Sequence, residues 1–169
     1  MLSKKIEKAL NEQVKIEAES SQFYLAMASW AETKGFAGVA AFLYAHSDEE
    51  RLHQLKLVKF INERGGHAVI PMLIKPKESF KTVREVFESL LKHETHVTQT
   101  INELVHSCLQ EKDYTTHNFM QWYVAEQIEE EALARTIMDK IKLIGDDNGG
   151  LYLFDRDIQS LLPANKPTK

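Results

Sequence analysis

The feature that most limits how this chain can fold is a set of four apolar stripes, each interrupted by polar side chains near its middle. The longest stripe runs from about residue 114 to residue 144, and its apolar residues recur at steps of three and four. This period predicts an amphipathic helix. Gln127 and Glu130 interrupt it halfway along. Because a buried, unpaired carboxylate is strongly destabilising, the fold must compensate for these side chains.

The other three stripes are interrupted in the same way. The interrupting residues are Glu17 in the first stripe, Glu50 and His53 in the second, and Glu94 in the third. Glu17, Glu50 and His53 are each followed 77 residues later by another polar residue of a stripe, so that the pattern repeats in register. These counterparts are Glu94, Gln127 and Glu130. Such a repeat predicts two similar helical hairpins, with turns near Gly35 and Lys112. Glu17, His53, Glu94 and Glu130 each lie 18 positions from one of these turns, and the helical rise therefore places them at one height.

The spacing of caps and breakers predicts a single all-α domain over residues 1–169. The predicted helices are a first from Ser3 to about Lys34, a second over 36–64, a third over 80–110 with Ser79 as its cap, a fourth over 114–144 and a short fifth over 151–162. Segment 67–79 carries two prolines and an apolar cluster. Fully extended it spans about 45 Å, the length of a long helix. We therefore predict a four-helix bundle with a long crossover between helices two and three.

Composition excludes several classes of protein. A content of 43% apolar and 27% charged residues is typical of a globular chain, and a net charge of -4 argues against nucleic acid as a partner. A lone cysteine, Cys108, cannot form an internal disulfide. We find neither a signal-peptide pattern nor a run of about 20 apolar residues that would span a membrane. The expected location is the cytoplasm.

The interrupting residues have the chemistry of a metal site. Oxygen ligands with one imidazole suit iron or manganese, and the lack of thiolates argues against structural zinc. Two divalent ions neutralise four carboxylates, whereas one ion leaves two carboxylates uncompensated. In this interpretation Glu50 bridges the two metals. Gln127 either donates a hydrogen bond at the second metal or ligates it weakly. Tyr24 shares a face with Glu17 and is expected to hydrogen-bond the site or to give up an electron.

A second acidic set, made up of Glu49, Glu126 and Glu129, lies on slightly different faces. One interpretation is a solvated helix surface, and the other is an adjacent iron site of lower affinity. Several other residues are predicted to have no ligand role. His46 is expected in the core with a hydrogen bond, His93 and His96 at the surface, and Cys108, Trp122 and Tyr123 in packing.

At these residues the chain resembles the ferritins, in particular the bacterial non-haem ferritins. Glu17 with Glu50-x-x-His53 matches the first half of their site, and Glu94 with Gln127-x-x-Glu130 is similar to the second. The segment 121–127, Gln-Trp-Tyr-Val-Ala-Glu-Gln, is also similar. Bacterioferritins carry a haem-ligating Met directly after the bridging Glu. Because Arg51 stands there, no haem is expected.

The resemblance implies a homo-oligomeric cage of 24 subunits with the short fifth helices around its fourfold axes. It implies that Fe(II) is oxidised by O₂ or H₂O₂ at a di-iron centre and stored as hydrated ferric oxide. It also implies that Glu49, Glu126 and Glu129 form a third iron site and that Tyr24 is a redox or hydrogen-bonding neighbour. Two alternatives stay open: a di-metal oxygenase or peroxidase that stores no iron, and a structural bundle whose polar layer holds no metal.

Overall fold

A computed structural model describes residues 2–161, which form a helical bundle. Its elements are α1 (Lys4–Thr33), α2 (Ala37–Glu63), α3 (Val83–Gln110), α4 (Tyr114–Ile144), α5 (Asn148–Ile158) and a closing 3₁₀ turn (Gln159–Leu161). The described part of the chain contains no strand. The predicted fold class, including the fifth helix, is confirmed, although Leu162, the predicted last residue of that helix, lies outside the described residues.

Side-chain caps explain four of the five α-helix starts. The Ser3 hydroxyl accepts a hydrogen bond from the Ile6 amide at 3.3 Å, and the Asp113 carboxylate accepts one from the Thr116 amide at 3.0 Å. Gly145 ends α4 with a φ of 63°, a conformation that glycine adopts without a steric penalty. The turns therefore fall where the sequence predicts them.

Two helix starts differ from prediction. Ser79 does not cap α3; instead the Thr82 hydroxyl accepts from the Glu85 amide at 3.1 Å, because α3 begins only at Val83. The fifth helix begins at Asn148 rather than at residue 151, since the Asp147 side chain caps it. Both corrections move a boundary by three residues and leave the bundle unchanged.

The crossover between α2 and α3 is anchored to α1 near its start. Asn11 donates to the His67 carbonyl oxygen at 3.1 Å and accepts from the Val69 amide at 2.7 Å. The apolar side chains that follow are not buried within the chain: the exposed fractions are 54% for Val69, 68% for Ile70, 92% for Met72 and 72% for Ile74. This segment therefore presents an apolar strip on the outside of the bundle.

The core consists of two apolar clusters that lie at opposite ends of the bundle. One cluster includes Met27, Leu43, Phe87 and Ile137, together with residues of α5. The other includes Leu10, Leu57, Ile101, Met120 and Tyr123. On each of the four long helices, the buried polar residue lies between its contributions to the two clusters. The predicted polar layer at one height is therefore present.

The fifth helix packs against the start of α2. Phe154 and Ile158 are buried in the first cluster, and the Asp155 carboxylate accepts a hydrogen bond from the Val39 amide at 2.9 Å. A Cβ at Gly38 would overlap the Asp155 carbonyl oxygen. The close approach of α5 to α2 thus requires glycine at position 38.

Candidate metal centre

The first hairpin brings three buried ligand residues together. Glu17 comes from α1, and Glu50 and His53 come from α2, where a separation of three residues places both on one face. Their potential ligand atoms all lie within 4.8 Å of one another. The His53 Nδ1 atom is 3.2 Å from a Glu50 oxygen and 4.0 Å from a Glu17 oxygen. Three donors at this spacing form the first half-site.

Neighbouring side chains fix these donors. The Gln13 amide donates to Glu17 at 2.7 Å, and the Tyr123 hydroxyl donates to the His53 carbonyl oxygen at 2.7 Å. The Trp122 ring meets the His53 ring edge-on at 5.1 Å. Gln13 was absent from the candidate set, although it lies on the same stripe one turn before Glu17, and that spacing is the signal that identifies it.

The second hairpin contributes Glu94, Gln127 and Glu130. Glu94 is fully buried, and its two carboxylate oxygens accept separate hydrogen bonds, from the Tyr24 hydroxyl at 2.7 Å and from the Gln127 amide at 3.2 Å. Tyr24 therefore contacts the site as a hydrogen-bond donor, and its partner is on α3 rather than on α1. Gln127 acts here as a hydrogen-bond donor to Glu94, and its role at the second metal stays a prediction.

The carboxyl groups are close enough to disturb one another's ionisation. Burial raises the pKa of Glu17, with the Glu50 charge adding to the effect, and burial also raises the pKa of Glu94. Burial raises the pKa of Glu50 as well, and the charges of Glu94 and Glu130 raise it further. The pKa of Glu130 rises to about 8, first through burial and then through Glu94 and Glu49. At neutral pH, Glu130 would therefore hold a proton that a bound cation would displace.

This donor set fits iron. Carboxylate oxygens and an imidazole nitrogen are ligands that Fe(II) accepts, and the cation would offset the negative charge of the buried carboxylates. The arrangement brings together all six residues predicted for the first two positions, namely Glu17, Glu50, His53, Glu94, Gln127 and Glu130. Their roles as ligands remain predictions.

The second acidic set is only partly assembled. Glu49, His53 and Glu126 have ligand atoms within 4.8 Å of one another, and so do His46, Glu49 and Glu130. Glu49 is thus shared by two groups that adjoin the central layer. Glu129 is exposed and belongs to none of the triads found among residues 2–161.

Histidines outside the ligand set have varied environments. His46 is buried and its Nδ1 atom lies 2.9 Å from the Phe42 carbonyl oxygen, as expected. His96 is exposed. The prediction of a surface position for His93 is only partly right: the side chain is half-buried, its ring packs on Phe23 at 4.8 Å and its Nε2 atom lies 2.7 Å from the Ser20 hydroxyl. Burial lowers the pKa of His93 to about 4.

The prediction that Cys108 belongs to the core is confirmed. The side chain is fully buried, and burial raises the pKa of its thiol to about 11, which keeps the thiol protonated and unreactive at neutral pH.

Two helical hairpins joined by a long crossover, with carboxylates and a histidine in one buried layer, define the class of ferritin-like four-helix bundles. The comparisons with known proteins agree. The family model for the ferritin-like domain matches residues 7–144, and the chain belongs to this family.

The relatives cover almost the whole chain. A bacterial non-heme ferritin of Campylobacter jejuni is 46% identical over 166 residues, which are 98% of this chain and 99% of that protein. A bacterial non-heme ferritin of Escherichia coli is 39% identical, with 98% of this chain and all of that protein covered. The crystal structure of an open pore ferritin from Archaeoglobus fulgidus matches with a TM-score of 0.92 at 39% identity, over 94% of this chain and 98% of that one. In residues 2–161, helices long and apolar enough for a membrane span are absent.

Proposed function

We propose that the protein stores iron and is a ferroxidase, which oxidises Fe(II) to Fe(III) with O₂ or H₂O₂ and retains the product as ferric oxyhydroxide. The observation that carries this proposal is the buried layer, in which four helices bring four carboxyls and one imidazole to a single height between two apolar clusters. Fe(II) is the substrate, and each ion gives up one electron.

Charge balance favours two ions in the layer. Four carboxylates carry about four negative charges, and two Fe(II) ions neutralise them, whereas a single ion leaves two buried charges uncompensated. Glu17 and His53 would hold the first ion, and Glu94 and Glu130 the second. Glu50 would bridge them, because it contacts His53 of the first half-site and also lies near enough to Glu94 and Glu130 for their charges to raise its pKa. The carboxyls would release their protons as the ions bind.

Glu49, Glu126 and Glu129 are proposed as a third iron site beside the pair. The grouping of Glu49 with His53 and Glu126 supports it, because this group shares His53 with the first half-site. The third site would receive iron from the pair or supply iron to it.

The chain is further proposed to be a single domain, residues 1–169, that assembles into a cage of 24 subunits in the cytoplasm without haem. The exposed apolar side chains of the crossover, including Met72 at 92%, support association, because so much apolar surface is stabilised by contact with other subunits. The structural likeness to a ferritin described as open-pored is consistent with a shell.

Two measurements on the metal-free protein test this function. Light scattering should give a particle of 24 chains of 19.4 kDa each, and aerobic addition of Fe(II) should produce a ferric core that grows to many iron atoms per chain. Uptake that stops at two iron atoms per chain would favour the di-metal oxygenase or peroxidase. A monomer that binds no iron would leave only the structural bundle.

A further inference from the structure

We propose that Thr98, oriented by Glu131, is a positioning residue that fixes the amide of Gln127 and so tunes the second iron position. The inference rests on the proposed function, because it concerns one of the two ion positions. It assigns a role to two residues of α3 and α4 that lie outside the ligand set.

A continuous series of hydrogen bonds runs from the buried layer to the surface. The Gln127 Nε2 atom donates to a Glu94 carboxylate oxygen at 3.2 Å, to the Glu94 carbonyl oxygen at 3.3 Å and to the Thr98 hydroxyl oxygen at 3.3 Å. Thr98 and Glu131 line the same cavity between α3 and α4, and the Thr98 hydroxyl donates to the Glu131 carboxylate. Arg135 anchors the far end by donating to Glu131 at 2.6 Å.

The directions of these bonds leave the amide one satisfactory orientation. A threonine hydroxyl has one proton, and here that proton goes to Glu131, so the Thr98 oxygen is available to Gln127 only as an acceptor. Turning the amide over would place its carbonyl oxygen against the oxygens of Thr98 and Glu94, all of them acceptors. Glu131 therefore keeps Thr98 an acceptor, and Thr98 reinforces the orientation in which Gln127 presents its NH₂ group to the carboxylate and carbonyl oxygens of Glu94.

This restraint has a consequence because the amide has space in which to move. A cavity of about 280 Å³ lies between α3 and α4, and Thr98, Gln127, Glu131 and Arg135 all line it. Without the hydroxyl of Thr98, only the two bonds to Glu94 restrain the Gln127 side chain, which then has room to turn into this cavity. Glu94 would then lose a donor that orients it, and groups that orient a ligand contribute to metal affinity.

The experiment titrates the metal-free protein with Co(II), whose visible absorption reports binding without oxidation. Thr98→Val keeps the shape of the side chain and removes the hydroxyl, and we expect it to weaken binding of the second Co(II) about fivefold with the first unchanged, the size of one net hydrogen bond. Thr98→Ser keeps the hydroxyl and should bind as the wild type does. Thr95→Val, on the exposed face of the same helix, is the matched control and should also be unchanged.

The outcomes separate this inference from the proposed function. If the wild type binds two Co(II) ions and Thr98→Val binds the second equally well, the inference fails while the function stands. A Thr98→Ser variant as weak as Thr98→Val would also overturn it, because packing rather than the hydroxyl would then be responsible. Glu131→Ala should weaken the second ion in the same direction, and no change there would remove Glu131 from the proposal. A wild type that binds no pair of ions would overturn both.

Discussion

The two helical hairpins carry the same polar positions 77 residues apart but differ in what holds those positions. In the first, Glu17, Glu50 and His53 form a compact triad with ligand atoms within 4.8 Å. In the second, Glu94 is fastened by Tyr24 and Gln127, and Glu130 lies beside Glu49. The repeat thus determines which positions of the two hairpins meet in the layer, whereas the residue types at those positions determine what each half can bind. The potential ligands of the first half already lie close together, whereas in the second half two neutral side chains donate hydrogen bonds to Glu94.

The largest effect should follow from changing the residue that both halves share. Glu50→Ala removes the proposed bridge and also relieves repulsion between carboxylates, so the chain should stay folded and assembled. Initial Fe(II) oxidation, followed by stopped-flow absorbance, should slow by at least about tenfold. Glu88→Ala, at an exposed position of α3, is the control. Equal initial rates in the Glu50 variant and the wild type would remove Glu50 from the site.

Protonation of the second half offers a test without iron. The pKa of Glu130 rises from 4.5 to about 8, so between these values the folded chain holds a proton that the unfolded chain has lost. This stabilisation is complete below 4.5 and disappears as the pH rises through 8. Metal-free protein should therefore lose stability from pH 5.5 to 8, and Glu130→Gln should reduce that loss by on the order of a few kcal/mol.

Denaturant unfolding of metal-free wild type, Glu130→Gln and the exposed control Glu12→Gln at several pH values provides the measurement. Glu130→Gln should still lose some stability as the pH rises, because Glu17, Glu50 and Glu94 also have raised pKa values. Parallel curves for the wild type and Glu130→Gln would contradict the protonated state of Glu130.

Making the halves more alike should have a smaller effect. Gln127→Glu replaces a neutral donor with a fifth acid, so the metal-free chain should lose about 1–2 kcal/mol at pH 8, seen as a melting temperature lower by a few degrees. Binding of the second Co(II) should tighten, because the new carboxylate adds negative charge. Gln121→Glu, exposed on the same helix, is the control. If Gln127→Glu raised or lowered both the stability of the metal-free chain and its affinity for the second Co(II), the asymmetry between the halves would not act through charge.

The smallest effect is expected at the third position. Glu126→Ala and Glu129→Ala should change the initial oxidation rate by less than about twofold, since the pair remains, but should alter the ratio of iron oxidised to O₂ consumed. Glu126 should have the greater influence because it is grouped with Glu49 and His53, while Glu129 is exposed. Oxygen-electrode measurements that match the wild type for both variants would dismiss the third site.

Much of this fold could be predicted because each long helix shows one apolar stripe and the repeat relates the stripes. The stripe does not show which other helix each helix contacts away from the central core. His93 lies off the central stripe of α3, yet it faces Ser20 and Phe23 across the α1–α3 contact. A single period marks the central core and gives no information about such side contacts, which depend on how the helices are arranged.

The error at the start of α3 has a local cause. Phe80 continues the apolar stripe and is buried, so the stripe alone favours an earlier start at Ser79. Thr82 and Glu85 have the spacing of a capping box, which was the better signal. At the site, the positions of the six central residues followed from spacing, whereas the hydrogen-bond directions around Gln127 depend on side-chain rotamers that sequence does not specify.

The Asp155 carboxylate of α5 accepts a hydrogen bond from the Val39 amide and so caps the first turn of α2. Because the approach relies on the missing methyl group at Gly38, α5 has little freedom to tilt without disturbing the first turn of α2. Glu50 is 11 residues further along the same rigid rod, about 16 Å away. In the proposed shell, a neighbouring subunit that pressed on the last helix would therefore act on the same helix that carries the proposed bridging carboxylate.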